Sequence, residues 1–465
     1  MSQIEISSAN ATEKGERATT RLSRLNEVTF WVMLGVVALA PIPFGSARGF
    51  FWGLLAFIIG TWALIYTIGV VAIRQGLRIG FERFGLQVLL MGIFCLWLVV
   101  QILPLDLVPL QLRDGVSVPL STISVAPDAT SLMLVRQLTY GLFFVLVLQA
   151  CANETRRSLM FDVLLVITVA YGVFGLVSLQ SGDTILGLEK WAYQGYATST
   201  FVNRNSFATF LAMGGALAAA RIGKLIADAS LHHVNDGRPR NVRSNLIMYG
   251  LAYLFLVTVV LSTGSRMGLF VTIIGGAISA TIAVRRSKRL AHLALAIPTA
   301  LAIVVLAFVF YGSRVVERLG GLESSADVRS DLYWQILEMV RERPFWGYGG
   351  GTFELAFPIV HQAPVSSDVV WSMAHNSYLA LWVEAGLIFG SLPIIAIGAI
   401  AIKIITAVIR RRGNLETQAI ALGVIAIGAI HSLVDFSLEI PANTFVFLAL
   451  LAAGTASTVN LKVTK

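Results

Sequence analysis

Long apolar runs separated by short polar segments dominate this chain. A helix needs about 20 mostly apolar residues to cross the hydrocarbon core of a bilayer, and twelve segments read as such spans. They are Val28–Phe44, Phe50–Ile73, Gly85–Leu103, Leu138–Ala152, Leu159–Gln180, Ser206–Ile226, Leu246–Leu261, Met267–Val284, Ala291–Tyr311, Tyr378–Val408, Thr417–Phe436 and Ala442–Val459. Tyr378–Val408 is too long for one straight crossing. Gly386, Gly390 and Pro393 predict a break there, into a short entry helix and a full crossing. The pattern predicts an all-α polytopic membrane protein with about twelve transmembrane helices.

The polar stretches divide the chain further. Residues 1–27 are rich in Ser, Thr and Glu and read as a disordered tail. Its length, and Pro41 after Ala38-Leu39-Ala40, argue against a cleavable signal peptide. Residues 28–311 carry helices one to nine, 312–374 form a large loop, and 375–465 carry helices ten to twelve with a short tail. Pro104–Gln137 contains Pro104, Pro109, Pro119 and Pro127 and reads as an irregular interfacial segment. Ser181–Asn205 carries Trp191, Tyr193 and Tyr196, aromatic residues typical of a membrane boundary. In the large loop, Asp327–Arg343 reads as an amphipathic helix with Val328, Leu332, Ile336, Met339 and Val340 on one face. Pro344 stops it, and Gly347-Tyr348-Gly349-Gly350-Gly351 makes the following turn. Such a loop suits the role of a cap over a cavity between helices.

Composition agrees with a membrane protein: 56% hydrophobic residues, 13% charged, where a soluble domain carries about 25% charged. The net charge of +9 does not imply nucleic acid, because the basic residues flank apolar spans instead of forming one stripe. With the N-terminus inside, 24 of the 35 Lys and Arg fall in cytoplasmic segments and 11 outside. That asymmetry predicts both termini in the cytoplasm. Cys95 and Cys151 lie in or near apolar runs and do not suggest a disulfide framework.

On this topology three polar motifs share the outer face: Phe201-Val202-Asn203-Arg204-Asn205, Ser262-Thr263-Gly264-Ser265-Arg266 and Ala374-His375-Asn376-Ser377-Tyr378. Arg204 and Arg266 either snorkel to headgroups or bind an anion with bidentate guanidinium forks. Their polar neighbours favour the second reading. His375 precedes a helix that Asn376 or Ser377 can cap, and the helix dipole there disfavours imidazolium. It reads as a general base or as a structural hydrogen-bonding histidine. Arg329, on the loop helix, fits a functional role and a solvated face equally. His431, in the eleventh span, with Asp435 one turn later, reads as a structural pair in preference to a second catalytic unit. The outer loop Pro43–Gly49 has no carboxylate, which argues for metal-independent chemistry.

Together these motifs resemble the O-antigen ligase and polymerase superfamily. So do the stretch from Arg329 through Trp334, Pro344, Gly347 and Gly349 to Phe353, and the segment His431-Ser432-Leu433-Val434-Asp435-Phe436. The similarity covers about Leu159–Val459. It implies a glycosyltransferase type C-like fold in the bacterial inner membrane with its site facing the periplasm. The implied donor is a glycan linked to polyprenyl diphosphate. The acceptor is lipid A–core for a ligase, or another lipid-linked glycan for a polymerase. The resemblance gives Arg204 and Arg266 the diphosphate and His375 the acceptor hydroxyl, with Asn205, Arg329 and Asn376 as supporting residues and no cofactor or metal. A secondary transporter is the remaining alternative, and it should show inverted repeats, which are not evident here.

Overall fold

The computed structural model describes residues 3–111, 115–231, 241–285 and 325–459. The long helices are α1 (Gln3–Leu39), α2 (Gly49–Ile73), α3 (Gly85–Ile102), α4 (Pro127–Ala150), α5 (Glu154–Gln180), α6 (Arg204–Leu231), α7 (Val242–Ser262), α8 (Arg266–Val284), α9 (Ser325–Glu342), α10 (Ser377–Ile409), α11 (Leu415–His431) and α12 (Pro441–Ser457). Among the described residues nine helices are long and apolar enough to cross a membrane, and α11 and α12 are shorter apolar helices. The protein is therefore an all-α polytopic membrane protein. The expected span Ala291–Tyr311 lies outside the described residues.

Several boundaries differ from the expectation. The polar N-terminal stretch is helical from Gln3, and the first apolar span runs Thr19–Leu39 instead of starting at Val28. The cause is packing: buried Asn26 accepts the Tyr66 hydroxyl at 2.8 Å, and Trp62 donates to Thr29 at 3.2 Å. The segment Pro104–Gln137 is irregular only in its first part, because α4 begins at Pro127. Proline suits the first helical position, where its missing N–H would have no partner. In that first part β1 (Leu110–Gln111) pairs antiparallel with β2 (Ser117–Val118). A second small hairpin, β3 (Thr184–Ile185) with β4 (Leu188–Glu189), turns through Leu186 and Gly187, both at positive φ.

Helix α6 is the buried centre of the bundle. Small residues let α8 approach it closely. A Cβ on Gly268 would fall 2.4 Å from that of Ala208, and one on Gly223 would fall 2.8 Å from the Ala280 carbonyl oxygen. These contacts run in the same chain direction, so α6 and α8 are parallel and Arg204 and Arg266 start at the same end. Helix α11 runs antiparallel on α8: Ile427 packs over Gly275, and Ser279 donates to the Ala419 carbonyl at 3.2 Å. His431, at the end of α11, thereby returns to the site end.

The expected break in the tenth span falls at Gly386, with φ 78° and ψ 165°. A Cβ there would lie 2.3 Å from the Phe345 carbonyl oxygen. The loop fills the interrupted hydrogen-bond ladder. Tyr348 N–H donates to Val383 and Gly349 N–H to Glu384, both at 2.9 Å, and Leu387 N–H donates to Pro344 at 2.7 Å. The amphipathic loop helix is α9. Its Leu332, Ile336, Met339 and Val340 are buried against Tyr348, Phe357 and the entry helix residues Leu379 and Val383, so the loop helix covers the entry helix.

Candidate active site

Each of the three motifs opens a helix at one end of the bundle. Asn203 caps α6, its side-chain oxygen accepting the Asn205 N–H at 2.6 Å and the Ser206 N–H at 3.4 Å. This cap holds Arg204 at the helix start. The Arg204 guanidinium sits 4.3 Å from the Tyr196 ring centroid and 5.5 Å from that of Tyr193. Such a cation–π cradle fixes a guanidinium without neutralising it. Among the described residues no carboxylate lies within 4.0 Å of Arg204, and its Nε is buried without a partner.

The second motif packs on the first. The Ala197 N–H donates to the Ser262 carbonyl at 2.9 Å. Gly264 has φ +62°, and a Cβ there would fall 2.5 Å from Tyr196 and 3.1 Å from an Arg204 nitrogen. Only glycine admits that approach. Ser265 caps α8, accepting the Gly268 N–H at 3.1 Å, and Arg266 is exposed at the first position of that helix.

His375 is half-buried with φ +51°. The Tyr333 hydroxyl on α9 donates to its carbonyl at 2.7 Å. Its ring meets Phe436 edge-on with centroids 5.1 Å apart and Trp371 at 6.3 Å. Its Nδ1 has no partner. Burial lowers the His375 pKa below its ordinary value, the Arg329 cation lowers it further, and Asp435 opposes both. The ring is therefore neutral near pH 7. Asn376 is the cap of α10: its oxygen accepts the N–H of Tyr378 at 3.0 Å and of Leu379 at 3.1 Å, and its amide donates to Leu433 at 2.9 Å.

The turn after α11 joins these pieces. The eleventh span ends at His431 and not at Phe436, so Asp435 lies in the turn. It is fully buried, accepting the Asn205 side-chain amide at 3.0 Å and the Ser437 hydroxyl. His431 bonds instead to the Thr209 hydroxyl. The two residues hold separate partners and do not form the ion pair the sequence suggested. Ser377 donates to Glu439 at 2.7 Å, and burial pushes the Glu439 carboxyl up to about 7. Burial raises the Tyr193 phenol, Asp435 raises it more, and Arg204 and Arg329 lower it. Tyr193, Asp435, Arg204 and Arg329 thus share one electrostatic neighbourhood.

The structure gathers Arg204, Asn205, Arg329, His375 and Asn376 around the Asp435 turn, with Arg266 at the head of the neighbouring parallel helix. Sequence reasoning read Tyr193 and Tyr196 as membrane-boundary aromatics and assigned no role to Tyr333 or Glu439. The only signal for the tyrosines was their place a few residues before Arg204.

No curated protein matches the chain. The matched family segment runs from α7 into α10 and contains Arg266, Arg329, His375 and Asn376, while Arg204 and Asp435 lie outside it. Residues 251–394 match the family described as O-antigen ligase, and this match on a polytopic helical membrane protein places the chain in the O-antigen ligase superfamily.

Proposed function

We propose that the protein transfers a glycan from a polyprenyl-diphosphate carrier to a sugar hydroxyl, most specifically as an O-antigen ligase acting on lipid A–core. The observation that carries this reading is the Arg204 guanidinium, fixed by two tyrosine rings with no carboxylate within 4.0 Å, in the same cluster as a neutral His375. In this reading Arg204 and Arg266 bind the donor diphosphate. The acceptor hydroxyl attacks the anomeric carbon opposite the leaving group and inverts it. Its proton passes to His375. The anomeric C–O bond breaks, and the electron pair leaves on the polyprenyl diphosphate, where the two guanidiniums stabilise the added charge. One such preorganised donor is commonly worth about 3–4 kcal/mol. Arg329 keeps the imidazole neutral before attack, and Asp435 stabilises the imidazolium that forms. No divalent ion is assigned a step, because the guanidiniums carry the leaving-group charge.

The reading sets the site on the periplasmic face of a bacterial inner membrane, with both termini cytoplasmic and a glycosyltransferase type C-like arrangement. Its support is the charge asymmetry of the loops and the family match. The glycolipid profile of a deletion strain tests it. Lipid A–core without polymer, with polymer retained on the polyprenyl carrier, is the expected result. Accumulation of single repeat units would instead make the protein a polymerase. An unchanged profile would sink both.

A further inference from the structure

At the other end of the bundle lies a cavity of about 750 Å³ with no part in the transfer reading. Lys224 of α6 lines it, twenty residues along that helix from Arg204, or about 30 Å at 1.5 Å per residue. The starts of α5 and α11 converge on it, and their caps are joined, Asn414 donating to Glu154 at 2.6 Å. The positive ends of two helix dipoles therefore point at one space.

Its cations are set apart from an ordinary basic rim. Arginines at a membrane edge usually extend to the headgroups, whereas Arg157 is only 7% exposed. One Arg157 nitrogen donates to the Cys151 carbonyl at 2.9 Å, and its Nε is buried without a partner. Arg156 donates to the Ala150 carbonyl at 2.9 Å. Among the described residues Arg78, Arg156 and Arg157 have no carboxylate within 4.0 Å. The lining carboxylates are Glu154, Asp228 and Glu416. Glu154 accepts from Asn414, and Glu416 is neutralised by Arg221 at 2.7 Å and Lys224 at 3.0 Å. Asp228 alone remains to offset three arginines and two helix starts.

We infer that this cavity binds a phosphate-bearing headgroup, held by Arg78, Arg156 and Arg157 at the starts of α5 and α11. Guanidinium forks match phosphate oxygens. The volume falls in the range of about 300–1,000 Å³ typical of small-molecule sites, so the phosphate belongs to a larger polar body. An anionic phospholipid of the adjoining leaflet and a soluble phosphate compound share this chemistry.

The full-length protein in nanodiscs of phosphatidylcholine, with and without phosphatidylglycerol, separates the sources. Retained lipid is read by native mass spectrometry. In neutral detergent, inorganic phosphate is titrated and the Tm followed. Arg78→Gln removes a half-buried side chain that makes no hydrogen bond or ion pair among the described residues, so its folding is not at stake. Arg156→Gln is the second variant, and exposed Arg74→Gln, outside the cavity, is the control. The expected result is phosphatidylglycerol retention that falls about tenfold in either cavity variant and is unchanged in the control. Stabilisation by phosphate without lipid, lost in the same two variants, assigns the site to a soluble ligand. Equal retention and equal phosphate response in all proteins overturns the inference. So does a loss as large in Arg74→Gln, which would mean diffuse surface attraction.

Discussion

Asn205 donates its side-chain amide to Asp435 at 3.0 Å, across 230 residues of chain. This bond ties the start of α6, where Arg204 sits, to the turn beneath His375. An interrupted helix cap, a cation cradled by rings and a neutral imidazole thereby become one cluster. The family match reaches Arg266 and His375 but not Asn205 or Asp435, so the junction is a property of this structure.

Arg204→Ala and Arg266→Ala are each expected to lower transfer by about 10²–10³ while the protein still inserts. Lysine at either position should restore little, since a point charge does not replace a bidentate fork. The measurement is transfer from a polyprenyl-diphosphate glycan in detergent at equal protein level. Near-wild-type rates in both alanine variants would remove the diphosphate role.

His375→Ala should abolish transfer and leave donor binding intact. In the wild type, burial and Arg329 hold the imidazole pKa below the ordinary value of about 6.5. The reactive neutral form is therefore nearly complete at pH 7, and the rate should fall only as pH drops below about 6.5. EDTA should leave the rate unchanged. Full inhibition by EDTA, reversed by one divalent metal, would refute the metal-free mechanism, and an active His375→Ala enzyme would refute the base.

The two charges beside His375 should move its acid limb in opposite directions. Arg329→Gln removes a repulsion on the imidazolium, so the limb should shift to higher pH. Asp435→Asn removes an attraction, so it should shift to lower pH. Rate profiles of the two variants decide this. Shifts of the same sign would mean general damage to the site in place of electrostatic tuning.

Gly386→Ala should destabilise the protein by more than about 1 kcal/mol, because φ is positive and the added carbon meets the Phe345 carbonyl at 2.3 Å. Gly398→Ala, in the same helix with open space around it, is the matched control and should be neutral or mildly stabilising. Thermal unfolding in detergent compares them. An unchanged Tm for Gly386→Ala would show that the break is not required.

Topology is checked by single cysteines placed after Cys95 and Cys151 are replaced. An impermeant thiol reagent on intact spheroplasts should label Ser366→Cys and not Asp236→Cys. The reverse pattern would invert the protein in the membrane.

The crossing helices described here were legible in the sequence because apolar character is local: a run of about 20 apolar residues reports itself. The break at Gly386, the Asn376 cap and the loop helix were legible for the same reason, since each depends on neighbours only a few residues away. Helix starts supported by distant packing were not, as Asn26 under Tyr66 shows. Nor was the separation of His431 from Asp435, because whether a helix continues for one more turn depends on what its end packs against. Sequence alone listed Arg204, Arg266 and His375 as chemistry at helix starts. Only the tertiary structure decided that α6 and α8 lie parallel through Gly268 and Ala208, that Tyr193 and Tyr196 enclose Arg204, and that Asp435 meets Asn205. Those outcomes depend on the rotation of each helix about its axis and on loop paths with residues such as Tyr193 and Ser199 at positive φ. Both are properties of the assembled bundle and leave no local trace in composition or period.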